Sequence, residues 1–202
     1  MNLSEPLAVV TPTLDAPVLA AFVRSGRALS GREVHRLCGR GSPSGVHKVL
    51  RRLVAQGIVR ADERAAETLY ELNPAHLAAP AIESIVRTPE RLVEHLRHSL
   101  RSWRPRALHA SLFGSFARGQ AGPESDIDLL LVRKGRVTPP WERHVVGLQE
   151  TVQAMTGNHL EVLEWSLTEL RAQRQSPLLR HLLEQSLHLD GQPLAQLLAT
   201  VR

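Results

Sequence analysis

A single cysteine, Cys38, in 202 residues excludes an internal disulfide and any zinc site built on clustered cysteines. It falls inside an apolar helical pattern, so it is read as a buried structural thiol rather than a nucleophile. Aromatic residues are only 3% of the chain, so its cores must be mainly Leu, Val, Ile and Ala. No apolar run approaches the roughly 18–20 residues that a membrane-spanning helix needs. Residues 1–13 carry Glu5, Pro6 and Pro12 but no basic side chain, which is not a secretory pattern. The expected location is therefore the cytoplasm, with no membrane partner. The ten histidines show no paired ligand spacing with a carboxylate, and none is assigned to a metal.

What is present is apolar material for real cores, 43% of the chain, and a net charge of +5 that is unevenly spread. Between positions 25 and 60 stand Arg27, Arg32, Arg36, Arg40, Lys48, Arg51, Arg52 and Arg60 against the single acid Glu33. Such an excess suits a polyanion partner, or else a solvated face in a chain that uses Arg almost everywhere. Periodicity favours the first reading. Asp15 is placed to cap a helix whose stripe is Val18, Leu19, Phe22 and Val23. Ser30 and Glu33 have the spacing of a capping box, opening a second helix with Val34 and Leu37. After Gly39 and Gly41, Ser42-Pro43 starts a third, with Val46, Val49, Leu50, Leu53 and Val54 on one face and Gly57 as its stop. The opposite face presents Ser44, His47, Lys48, Arg51 and Arg52.

Two short strands follow, residues 58–60 and 68–72, with the charged segment 61–67 between them as a wing. Residues 16–73 thus resemble the winged helix-turn-helix domains of bacterial transcription regulators. The resemblance implies that the third helix enters a major groove of duplex DNA through Ser44, His47, Lys48, Arg51 and Arg52, and that homodimers form through this domain. Pro74, Pro80 and Pro89 mark the joint, followed by a helix with Leu92, Leu96, Leu100 and Trp103. The organisation expected is a winged helix over 1–74, connecting helices over 75–105 and a second domain over 106–202. The fold class is α+β, the second domain having a mixed sheet flanked by helices.

Residues 107–113 read as a buried strand leading into Gly114-Ser115-Phe116-Ala117-Arg118-Gly119. A polar loop then gives way to Ser125-Asp126-Ile127-Asp128 and the apolar run Leu129-Leu130-Leu131-Val132. Alternation along a strand puts Asp126 and Asp128 on one face. Two adjacent carboxylates repel and raise each other's affinity for protons, a conflict that a divalent cation resolves. Oxygen donors select Mg²⁺ or Mn²⁺. Gly114 lets backbone approach a phosphate, and a helix starting at Ser115 aims N–H groups at it.

Gly-Ser followed by Asp-x-Asp between two strands resembles the polymerase-β-like nucleotidyltransferase superfamily, in particular its minimal bacterial and archaeal members. The resemblance runs from residue 106 to the C-terminus. It implies a nucleoside triphosphate substrate (ATP), bound through Gly114, Ser115 and Arg118, and catalytic metal ligands Asp126, Asp128 and a third carboxylate on a later strand. Glu161 occupies that third position, where the family usually has Asp, and Glu164 is the alternative on the other strand face. Arg118 either touches the triphosphate or pairs with a nearby carboxylate. The activity implied is transfer of a nucleoside monophosphate to a protein, RNA or small-molecule acceptor. The competing reading is a DNA-binding regulator or antitoxin of a toxin–antitoxin pair, whose second domain only senses nucleotide.

Overall fold

The computed structural model describes residues 1–63 and 67–200. The chain forms two compact units, one of Glu5–Pro89 and one of Met1–Ser4 with Glu90–Arg202. The segment expected as a separate connector does not stand apart. Its first helix contributes Ile82 and Val86 to the core of the first unit. Its second contributes Leu92, Leu96 and Leu100 to the core of the other.

In the first unit a 3₁₀ turn (Pro6–Val9) precedes α1 (Asp15–Ser25), β1 (Leu29–Ser30), α2 (Gly31–Cys38), α3 (Pro43–Ala55), β2 (Val59–Asp62), β3 (Leu69–Leu72) and α4 (Ala79–Val86). The strands form an antiparallel sheet in the order β1-β3-β2. Of the segment expected as a wing, residues 64–66 lie outside the described residues. Ser30 and Glu33 complete both halves of a capping box on α2, and Ser42 caps α3 by accepting from the Gly45 N–H. Asp15 does not cap α1, which begins at Asp15 itself with Leu14 at the cap position and no side-chain bond. On α2 the buried pair is Val34 and Cys38, four positions apart on one face, while Leu37, expected on that face, is 52% exposed. Burial pushes the Cys38 thiol up to about 11, which keeps it protonated and inert.

The second unit holds α5 (Thr88–Ser102, beginning two residues before the boundary), β4 (His109–Phe113), α6 (Gly114–Ala117), β5 (Ile127–Arg133), α7 (Pro139–Thr156), β6 (Leu160–Ser166), α8 (Leu167–Ala172), α9 (Pro177–Gln185), β7 (Leu187–Gly191) and α10 (Leu194–Thr200). Its sheet is mixed, in the order β6-β5-β4-β7, with β5 and β6 parallel and the other pairs antiparallel. Alternation divides β5 between two cores. Ile127, Leu129 and Leu131 pack with Leu96 and Leu100 of α5 and with Trp141 and Leu148 of α7. Leu130 and Val132 pack with Leu170, Leu179, Leu182, Leu194 and Leu197 of α8 to α10. Both strand faces are therefore covered, which is why β5 reads as an unbroken apolar run. Charge is confined to its two ends, Asp128 and Arg133.

His109 is buried against the opposite end of the same sheet. Its Nδ1 donates to the Gln192 carbonyl at 2.8 Å, so Nε2 is left to accept from the Ser111 hydroxyl at 2.9 Å. Burial lowers its pKa from 6.5 to about 4, with a small push from His188. A histidine depressed in the folded state binds fewer protons than it does unfolded, so it adds stability above pH 6.5 that is lost as pH falls toward 4. The expected loss is roughly 3 kcal/mol at most. In an NMR titration the His109 imidazole should change near pH 4; a midpoint at 6 or above contradicts this account.

Candidate functional site

The strand β4 ends at Phe113, and the chain turns at once into the single helical turn α6. Phe113 pairs with Asp128 across the antiparallel ladder, and Asp128 pairs with Glu161 across the parallel one. Neighbouring strands lie about 4.8 Å apart, so Asp128 stands at the middle of a three-strand edge with Gly114 on one side and Glu161 on the other. Gly114 has φ +67°. A Cβ built on it would lie 1.9 Å from Asp128 Oδ2 and 2.8 Å from its carboxyl carbon. The glycine is thus required twice, for a left-handed backbone that other residues rarely adopt and to leave room for the aspartate.

Asp128 is half-buried, and its pKa is raised first by that burial, then by the charges of Asp126 and Glu161, with Arg118 opposing them. The structure therefore brings Asp126, Asp128, Glu161 and Arg118 into one electrostatic neighbourhood. Asp126 is exposed just ahead of β5. Glu161 lies on the Asp128 face, but its side chain is 64% exposed and leans toward His159 Nε2 at 3.6 Å. Among the described residues, no three His, Cys, Asp or Glu side chains converge as metal ligands. The donor set still fits a hard divalent cation: two acidic oxygen ligands two positions apart, a third in register, and net negative charge concentrated at a half-buried edge.

Glu164 falls on the other face of β6 and accepts from Trp141 Nε1 at 2.5 Å, with Arg133 Nε at 3.8 Å. It serves the core around α7. Arg118 donates to Gln120 Oε1 at 3.2 Å and meets His181 Nε2 of α9 at 3.4 Å; the sequence did not single out His181. Helix α6 begins at Gly114, one residue before the start expected at Ser115, and is only four residues long.

On α3 the side chains of Ser44, His47, Lys48, Arg51 and Arg52 are all exposed, opposite buried Val46, Leu50 and Leu53. Arg52 is engaged by Asp15 at the start of α1. The wider basic excess is reduced in the same way: Arg27 pairs with Glu33 at 2.7 Å and Arg40 with Glu5 at 3.2 Å. Lys48 and Arg51 have no ion-pair partner among the described residues.

Residues 93–178 match the family model of the nucleotidyltransferase domain, a span containing Gly114, Ser115, Asp126, Asp128 and Glu161. No curated protein matches the chain significantly. Similar solved structures include a toxin–antitoxin with AMP-PNP (17% identity, TM-score 0.40, 54% of this chain and 82% of that one). Two mutants of the toxin–antitoxin MntA-HpeT are also similar: one at 13% identity and TM-score 0.39, covering 54% and 82%, and one at 16% and 0.37, covering 54% and 80%. No helix among the described residues is long and apolar enough to cross a membrane.

Proposed function

We propose that the second unit is a Mg²⁺-dependent nucleotidyltransferase, which moves AMP from ATP to a protein, RNA or small-molecule hydroxyl. The observation that carries this is the edge at Asp128, where Gly114 gives up its side chain to a carboxylate that two further acids surround, inside the span of the family match. Asp126 and Asp128 would hold the cation, with Glu161 reaching in from β6 by rotation of its exposed side chain. A divalent ion there supplies charge neutralisation on the triphosphate and acidifies the acceptor hydroxyl. Gly114 and Ser115 offer backbone N–H groups to the phosphates, and Arg118 adds a cation beside them. The acceptor hydroxyl gives up its proton to solvent as its oxygen bonds to the α-phosphorus, the bond to the bridging oxygen breaks, and pyrophosphate leaves. The protein's part is position and fixed charge. Incubation with lysate and Mg²⁺ tests this: label from α-labelled ATP should become covalently attached, and label from γ-labelled ATP should not. Attachment of the γ label, or of neither, sinks the proposal.

The open stance of Glu161 favours a second reading, a regulator or antitoxin that binds nucleotide without turning it over. In both readings the first unit acts as a winged helix-turn-helix. Its support is the succession of three helices and an antiparallel sheet, with Lys48 and Arg51 exposed on the outer face of α3. Arg51→Ala should lower the slope of log affinity for duplex DNA against log salt by about one unit. Arg52→Ala should instead lower the melting temperature, because its charge is spent on Asp15. If Arg51→Ala binds DNA like wild type at several salt concentrations, α3 is not the DNA-binding element.

A further inference from the structure

We infer that Asn158 is a positioning residue for the cation site, holding the loop that delivers Asp126 beside Asp128; the inference rests on the nucleotidyltransferase reading above. Asn158 is only 3% exposed and sits between α7 and β6, outside the carboxylate set. Its side-chain N–H groups donate to the carbonyls of Ser125 at 2.9 Å and Pro123 at 3.3 Å. Its Oδ1 accepts from the Met1 amine at 2.7 Å. Its backbone N–H donates to Thr156 Oγ1 at 3.0 Å, and that hydroxyl donates to the Val152 carbonyl at 2.8 Å in the last turn of α7. The amide is thereby satisfied on both ends and locked to a helix, the condition under which a buried polar group fixes one geometry.

The bonds fall on a particular stretch of chain. Ser125 is the residue before Asp126, and the residue after it, Ile127, donates its N–H to the His159 carbonyl at 2.9 Å. Asp126 is therefore held from both sides by consecutive residues of one turn, Asn158 and His159. Further back, Ser4 donates to the Ala121 carbonyl through its N–H at 3.1 Å and its hydroxyl at 3.0 Å. The Gly122 N–H donates to Ser125 Oγ at 2.9 Å. Without such anchors the repulsion between Asp126 and Asp128 would be relieved by swinging the exposed partner away. With them the two carboxylates stay together before a cation arrives, and no ordering cost is added on binding.

Mn²⁺ alone, bound to the full-length chain and followed by electron paramagnetic resonance, separates this role from a purely structural one. Asn158→Asp keeps the size and the acceptor but removes both donors to the loop, and it adds a negative charge that by itself would tighten cation binding. It should nevertheless weaken Mn²⁺ by roughly tenfold or more, the range seen when supports of metal ligands are removed. A control with similar loss of melting temperature, Leu100→Val in the core on the other face of the sheet, should keep wild-type affinity. Equal Mn²⁺ affinity in Asn158→Asp and the control overturns the inference. Wild type that binds no Mn²⁺ overturns the site reading itself and this inference with it. Should Asn158→Asp not fold, hydrogen exchange on wild type decides: the Asn158 side-chain N–H groups, which donate to the Ser125 and Pro123 carbonyls, should be strongly protected without cation, and fast exchange there overturns the proposal.

Discussion

The double substitution Asp126→Asn/Asp128→Asn should abolish Mn²⁺ binding and, at the same time, raise the melting temperature of the cation-free protein. The first effect should exceed about 100-fold, since losing even the outer support of a ligand costs on the order of 10–100-fold. The second follows from Asp128, whose pKa is raised by burial and by Asp126 and Glu161. A carboxyl raised in the folded state destabilises that state at neutral pH, and the cost disappears as pH falls and the group takes up its proton. Neutral amides of the same shape remove the repulsion at every pH. Loss of binding with a lowered melting temperature would mean that the carboxylates are structural and that their partners have been misread.

Gly114→Ala should be as damaging by another route. The left-handed backbone at φ +67° costs a β-carbon-bearing residue about 1–2 kcal/mol. Its Cβ would also meet Asp128 Oδ2 at 1.9 Å, and overpacking of that kind adds roughly 1–3 kcal/mol. We expect a loss of about 2–5 kcal/mol in the second unit, together with displacement of the Asp128 carboxylate and loss of Mn²⁺ binding. Pairing it with Asp128→Ala should recover only the part of the stability lost to the clash, since the backbone strain at position 114 remains, and none of the binding, because the ligand is gone. An alanine variant with wild-type stability would show that Gly114 is free to relax and does not cradle the aspartate.

These two residues were legible in the sequence because their chemistry is local. Gly-Ser after a strand and Asp-x-Asp before an apolar run fix the strand faces by alternation alone, whereas the register Phe113–Asp128–Glu161 is set by long-range pairing that alternation does not specify. The capping box at Ser30 was legible for the same reason, since its partners lie three residues apart. What stayed hidden depends on residues far apart in the chain. Strand β1 is two residues long and exists because β3 pairs with it. Residues 1–4 join the second unit through Leu3 and Ser4, with no periodicity to announce it. Arg52 looked free on its helix face until Asp15, 37 positions earlier, supplied its partner. Helix α7 buries the stripe Trp141, Val145, Leu148 and Val152, yet Val146 and Met155 are about half exposed; an apolar residue at a surface position carries no signal of its own.

Calorimetry of ATP binding to the wild-type chain, with and without Mg²⁺, tests the central claim most directly. The account predicts binding in the presence of Mg²⁺ that vanishes when the cation is chelated, because the triphosphate would otherwise face the charges of Asp126, Asp128 and Glu161 unshielded. Equal ATP affinity in the two conditions would contradict it.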